Sequence, residues 1–233
     1  MSQRFFVEAP IGDASTAQLT GAEAQHLAKV MRARLGDELL AFDGSGCEFL
    51  ARICNLGKTS IDLEIVERRE LNRELPYALT LAVALPKGDR QKVLVEKLVE
   101  LGATSLIPLE TERSVAEGTP SALLRLRRQV IEASKQCGRN RLMTIGEPVA
   151  VATLVETRTD ERRVLAHPSG GKLSSTKLAG PTTIAIGPEG GFTDEETSLA
   201  AAAGWEVVSL GTRILRVETA ALALAAIFAV AAK

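Results

Sequence analysis

The stretch Thr182 to Glu196, TTIAIGPEGGFTDEE, decides how this chain is read. An apolar run ends in Gly187-Pro188-Glu189-Gly190-Gly191. Thr193 then stands where a helix N-cap is expected, with Glu196 three residues later to complete a capping box. A strand that passes into a helix through a glycine-rich turn predicts one β-to-α unit of a parallel sheet. Glycines at the strand's carboxyl end let the backbone approach a bound molecule closely. The spacing is neither GxGxxG nor the phosphate-loop GxxxxGK followed by Ser or Thr, so it does not point to a dinucleotide or to ATP.

A second junction of the same kind follows at Leu210 to Thr219, LGTRILRVET. A strand ends at Gly211, and a basic stretch leads into the last helix. From the residues alone, Arg213 and Arg216 pair with Glu218 or Glu189, or serve a ligand. Ile214 and Leu215 fill a core, or the apolar slot of a cofactor.

Outward from these two junctions the chain alternates. YALTLAVAL from Tyr77 reads as a central parallel strand covered on both faces. Residues 89 to 101 place Val93, Leu94, Lys97, Leu98 and Leu101 at helical spacing, and Gly102 ends that helix. TSLIPLE, VLAHP near Val164, TTIAIG and EVVSLG are further strands. Helices are expected from Pro120 to Gln136, from Thr193 to Ala203 and from Glu218 onward. This is an α/β pattern. Before it, Phe5 to Val7, ELLAFD, CEFLARICNLG and SIDLEIVERR read as short strands, with one helix from Ala22 to Met31, and together they suggest a small barrel. The polar LNRELP is the linker, which places one domain at 1–72 and the other at 73–233.

With 45% hydrophobic and 24% charged residues the composition is that of a globular protein, and a net charge of −1 excludes a polybasic nucleic-acid binder. The charge is uneven: residues 1–72 carry −3, 73–142 carry +4 and 143–233 carry −2. The positive charge gathers at Arg125, Arg127, Arg128, Lys135, Arg139 and Arg141, as a solvated helix face or an anionic-polymer contact. Only 3% of residues are aromatic, too few for a surface of stacked bases. Cys47, Cys54 and Cys137 lack CxxC spacing, which argues against a disulfide framework or a thiolate zinc site. The two histidines stand apart from any ligand cluster, so no metal is expected. The opening MSQRFFVEAP lacks a signal-peptide pattern, and the longest apolar run, Ala220 to Ala232, is too short to span a bilayer. A cytoplasmic address, with no membrane partner, follows as the expectation.

GPEGG ahead of a helix, LG..ILR.ETA from Leu210 to Ala220, ELGA from Glu100 to Ala103, EA..QC.R from Glu132 to Arg139 and the N-terminal RFF together resemble the RsmE family. Its members are bacterial methyltransferases that modify N3 of a uridine in the decoding region of 16S ribosomal RNA. The resemblance extends over nearly the whole chain. It implies an α/β C-terminal SPOUT domain with a deep trefoil knot, binding S-adenosyl-L-methionine and forming a homodimer. A small N-terminal PUA-like β-barrel that binds RNA would precede it. The knot runs against the rule that connections do not thread one another.

The resemblance further implies that the cofactor lies among three loops, with Leu165, His167, Gly187, Gly190, Gly191, Leu210, Gly211, Ile214 and Leu215 holding it. The sulfonium methyl is already activated, so the protein must align the uracil and ease loss of its N3 proton. Arg216 and Glu189 are the catalytic candidates, Arg216 to orient or neutralise the uracil and Glu189 to orient groups or accept a proton. RNA contacts are expected from Arg4, His26, Arg32, Arg34, Lys87, Arg90, Arg113, Gln136, Arg139 and Arg141. The partner would be 16S ribosomal RNA within the small subunit. The competing readings are a related knotted methyltransferase acting on tRNA or on ribose 2′-hydroxyls, and a non-catalytic RNA-binding or assembly protein.

Overall fold

The computed structural model describes residues 4–174 and 180–231. They divide into two compact units: residues up to Glu74 together with Ser134–Leu142, and Leu75–Ala133 together with Met143 onward. The division falls close to the linker read from the sequence. It also assigns Ser134–Leu142, expected in the second domain, to the first unit.

The first unit contains β1 (Arg4–Phe6), β2 (Thr16–Thr20), α1 (Gly21–Gln25), a π-helical turn (His26–Val30), β3 (Glu38–Phe42), β4 (Cys47–Leu56) and β5 (Ser60–Glu70). The strands form one sheet in the order β1-β3-β4-β5-β2, parallel only between β1 and β3. The pairing of β4 with β5 shifts register between Leu50 and Ala51 and again between Ile53 and Asn55. Such bulges bend and twist a strand, and the sheet curls around Phe5, Leu19, Phe49, Ile53, Leu63 and Leu27. The expected barrel is therefore an open, curled sheet whose edges are β1 and β2. Strand β2 escaped the sequence reading because only Leu19 of its five residues is buried. The single helix expected from Ala22 to Met31 is instead a short α-turn widening into the π-turn, after which Arg32 takes φ 52.

Ion pairs and hydrogen bonds fasten Ser134–Leu142 to the rest of this unit. Lys135 Nζ lies 2.8 Å from Glu23 Oε1. Arg4 reaches Glu48 Oε2 at 2.6 Å and Asn140 Oδ1 at 2.5 Å, while Arg139 pairs with Glu74.

The second unit runs β6 (Leu79–Val83), α2 (Arg90–Glu100), β7 (Ser105–Glu110), α3 (Pro120–Cys137, its last turn in the first unit), β8 (Thr144–Ile145), β9 (Val149–Ala150), α4 (Val151–Thr157), β10 (Arg162–Lys172), β11 (Thr182–Ile186), α5 (Asp194–Ala202), β12 (Glu206–Ser209) and α6 (Val217–Val230). The two-residue strands and the seven-residue α4 are too short to show a period, and the sequence reading passed over them. The apolar run Ala220 to Ala232 lies in α6 as far as Val230; Ala232 lies outside the described residues, as do residues 1–3.

All strand pairings here are parallel, in the order β12-β10-β11-β6-β7-β8, with β9 also pairing with β7. Every residue of β6 and β11 is buried, as continuous apolar runs in a two-face-covered sheet require. Ala82, Leu165, Ala185, Phe192 and Trp205 pack with Leu154 and Val155 of α4 on one face. Helix α6 packs on β6, β11 and α2. After β8 the chain returns to lay down β10 two places from β6, fills the gap with β11, and adds β12 outside β10. The loops leaving β10, β11 and β12 therefore emerge side by side at one end of the sheet. Among the described residues, no helix is long and apolar enough to cross a membrane.

Candidate functional site

Those three loops enclose a cavity of about 430 Å³. Ala166, His167 and Pro168 line it from β10, Ile186 to Phe192 from β11, and Val208 to Leu215 from β12. Arg113, beyond β7, and Asp194, Val217 and Ala220, at the starts of α5 and α6, complete it. A crevice at the carboxyl ends of parallel strands is where open α/β sheets bind ligands.

The local chain geometry explains the residues found there. Ala166 and Gly171 both pair with Val208, so residues 167–170 loop out of β10 beside the cavity. At Gly170 a Cβ would stand 2.5 Å from the Val208 backbone. The turn after β11 closes with a Gly191 N–H donated to Pro188 O at 2.8 Å, and Gly191 takes φ 72. At Gly187 a Cβ would meet the Phe192 ring at 3.0 Å. Thr193 and Glu196 form the expected capping box on α5.

Charged groups hold this turn. Arg113 Nη1 donates to Gly190 O at 2.9 Å. Arg90 Nη1 lies 2.7 Å from Glu189 Oε1 and 3.7 Å from Glu218 Oε2. Burial pushes the Glu189 carboxyl up. Its own backbone N–H, the hydrogen bond and charge of Arg90 and the charge of Lys87 outweigh that and hold it below the ordinary glutamate range. On the loop leaving β10, Ser169 N–H donates to His167 Nδ1 at 3.3 Å, and the Ser169 hydroxyl lies 2.7 Å from the same nitrogen.

Of the candidates read from the sequence, His167, Gly187, Glu189, Gly190, Gly191, Leu210, Gly211, Ile214 and Leu215 all line this one cavity. Leu165 does not: it is buried in the core with Phe192 and Trp205, because alternate side chains of β10 face opposite sides of the sheet. Arg216 is exposed at the N-cap of α6 in extended backbone (φ −66, ψ 155) and is not among the lining residues. The ion pairs expected from Arg213 or Arg216 to Glu189 and Glu218 are made by Arg90 instead.

The basic residues sort by burial. Arg4 and Arg139 are structural: both guanidiniums are mostly buried and paired, with Glu48 and Glu74, and Arg4 also lies over the Phe42 ring. His26, Arg32, Arg34, Gln136 and Arg141 are exposed on the first unit, and Lys87 and Arg113 on the second. Arg90 is engaged by carboxylates. The sequence reading missed Arg113 as a cavity residue, along with Pro168, Phe192, Asp194 and Thr212. Arg113 follows the carboxyl end of β7, and that position was the available signal. Among the described residues no group of three or more His, Cys, Asp or Glu is placed to hold a metal, and the three cysteines are free.

Residues 73–229 match the family model of the RNA methyltransferase domain, and residues 19–66 that of the RNA methyltransferase PUA domain. The chain is 36% identical to ribosomal RNA small subunit methyltransferase E of Synechocystis, over 88% of this chain and 70% of that protein. It is 31% identical to the protein of the same name from Bacillus subtilis, over 97% and 95%. A solved chain from Legionella pneumophila, in complex with the bound cofactor SAM, superposes at a TM-score of 0.92 with 30% identity over 99% of this chain and 98% of that one. Ribosomal RNA small subunit methyltransferase E from Neisseria gonorrhoeae, bound to S-adenosyl methionine, superposes at 0.88 with 31% identity over 97% and 96%.

Proposed function

The chain belongs to the ribosomal RNA small subunit methyltransferase E family, and from that premise we propose that it takes S-adenosyl-L-methionine as methyl donor and methylates N3 of a uridine in 16S ribosomal RNA. The observation that carries this reading is the cavity of about 430 Å³ at the ends of three adjacent parallel strands. Its size lies within the roughly 300–1,000 Å³ of small-molecule sites. Ile186, Val208, Leu210, Ile214 and Leu215 give it an apolar side that suits an adenine ring, and Gly187, Gly190, Gly191 and Gly211 leave backbone groups bare for polar contacts. The residues present therefore fit the cofactor.

When bound, the cofactor supplies a methyl group already activated on a sulfonium. The chain's own residues do the rest. Arg113 fixes the Gly190 carbonyl, and Arg90 holds Glu189 as an anion, so Glu189 orients groups and is a poor proton acceptor. Arg216, exposed outside the cavity lining and free of any ion pair among the described residues, neutralises charge developing on the uracil oxygens as N3 gives up its proton to solvent water. His26, Arg32, Arg34, Gln136 and Arg141 on the first unit, and Lys87 and Arg113 on the second, follow the RNA phosphates.

We read the second unit as a trefoil knot. The strand order supports this, since α6 returns from the outer β12 to pack on the central β6 and β11. A homodimer is supported by apolar side chains left exposed on α2 and α6, Val93, Ile227 and Val230. Cytoplasmic work on the small ribosomal subunit completes the reading.

The test is to incubate the protein with labelled S-adenosylmethionine and hypomethylated small subunits, digest the RNA and identify the labelled nucleoside by mass spectrometry. Labelled 3-methyluridine is the expected product. Another labelled nucleoside overturns the substrate, and no label on subunits, free ribosomal RNA or tRNA overturns the enzymatic reading.

A further inference from the structure

We propose that Arg90 is a positioning residue for methyl transfer, tying the turn after β11 to the first turn of α6 through Glu189 and Glu218. Its Nη1 lies near both carboxylates, 2.7 Å from Glu189 Oε1 and 3.7 Å from Glu218 Oε2. The two partners stand in different settings. The Glu189 side chain is 37% exposed and that of Glu218 only 12%. Glu218 Oε2 is buried and accepts no hydrogen bond among the described residues, so Arg90 is its compensating charge. A buried carboxylate without a partner is strongly unfavourable, which makes this the arm that cannot be dropped.

Arg90 is itself held from behind. Next to it at the start of α2, the buried Gln91 donates from Nε2 to Pro86 O at 2.8 Å and accepts from Arg125 Nη2 of α3 at 2.8 Å. The loop that delivers Arg90 is thus anchored in the fold rather than free to follow the carboxylates. Glu189 lies in the Gly187 to Gly191 turn that lines the cavity, and Glu218 stands in the first turn of α6 between Val217 and Ala220, which line it from another side. One fixed cation between two walls sets their spacing. Both contacts come from the one nitrogen, Nη1, and a lysine ammonium would keep the charge without keeping its place. The consequence for catalysis rests on the cofactor reading given above; the tie between the walls does not.

Hydrogen–deuterium exchange on the ligand-free protein tests the tie. In Arg90→Gln, peptides covering residues 187–192 and 212–219 should both exchange faster, by about tenfold for a loss of about 1.4 kcal/mol. Arg90→Lys should fall between, and Lys92→Gln, an exposed residue of the same helix, should change neither. The double variant Glu189→Gln/Glu218→Gln keeps Arg90 and removes both arms, and it should reproduce the Arg90→Gln pattern even if Arg90→Gln folds poorly. In steady-state assays the KM for S-adenosylmethionine should rise about tenfold in Arg90→Gln while kcat changes much less. Unchanged exchange in both peptides, or acceleration confined to one of them, overturns the proposal. Failure of the wild-type protein to bind S-adenosylmethionine overturns the cofactor reading instead, and the exchange data still decide the tie.

Discussion

Glu196 accepts the backbone N–H of Glu112 through Oε1 at 3.0 Å while its Oε2 accepts the N–H of Thr193 at 2.9 Å. One carboxylate thus caps α5 and pins the segment after β7, the same segment that carries Arg113 to the Gly190 carbonyl. Thr193→Ala removes one half of the capping box and should cost about 1 kcal/mol. Glu196→Ala removes the other half and the Glu112 contact, so it should cost as much or more and weaken cofactor affinity as well. Urea unfolding and calorimetric titration with S-adenosylmethionine, run on both variants, measure the two effects.

The glycines around the cavity should not respond alike to a methyl group. Gly211→Ala and Gly191→Ala force an L residue to φ 107 and φ 72, at about 1–2 kcal/mol for the left-handed region. Gly187→Ala meets the Phe192 ring at 3.0 Å, a core side chain with little room to move. Gly190→Ala meets only the flexible stem of Arg113 at 3.3 Å. Cofactor affinity should therefore survive best in Gly190→Ala, an order that a series of binding isotherms will confirm or reverse.

Arg4 and Arg141 carry the same charge and should behave oppositely. Arg4→Ala leaves Glu48, 6% exposed, with only the longer contact to Arg73 at 3.9 Å, and losing the close arm of so buried a pair should cost about 3 kcal/mol, the low end for such pairs. Arg141→Ala removes an exposed cation, so stability should stay within about 0.5 kcal/mol. RNA affinity should fall, and its salt slope should drop by about 1. Denaturation curves beside salt-dependent RNA binding separate the two roles.

Glu189 predicts the acid limb of cofactor binding. Its folded-state carboxyl lies below the ordinary value of 4.5, so as pH falls the unfolded chain takes up the proton first. The stabilisation is complete above about pH 4.5 and is lost as pH drops through the lower, folded value. Affinity for S-adenosylmethionine should show no Glu189 titration near neutrality and should decline only in acid, and Glu189→Gln should remove that decline. A rate profile governed by a glutamate base near pH 6–7 would contradict the orienting role given to Glu189.

Much of the second unit was legible in the sequence because its signals are local. Continuous apolar runs named β6 and β11, and Thr193 with Glu196 named the start of α5. The two glycine-rich junctions named most of the cavity. The curled sheet was harder: its bulges at Leu50 and Ile53 arise from how β4 meets β5, and β2 buries a single leucine, which leaves no period to read. Arg4 and Arg139 looked like RNA contacts because a basic residue carries no mark of the carboxylate it will meet. Glu48 is 44 positions from Arg4, and Glu74 is 65 from Arg139.

By itself the sequence determined the longer elements of the second unit, the glycine turns and the family motifs, since backbone freedom, helix capping and apolar runs are set by neighbours along the chain. Only the tertiary structure decided which charges are spent and which are free. Strand order placed three distant loops side by side, sent Leu165 into the core and left Arg216 outside the lining. It also gave Glu189 and Glu218 to Arg90 rather than to the arginines nearest in sequence. An ion pair depends on distance in space and on the water excluded around it, and a linear chain specifies neither until it has folded.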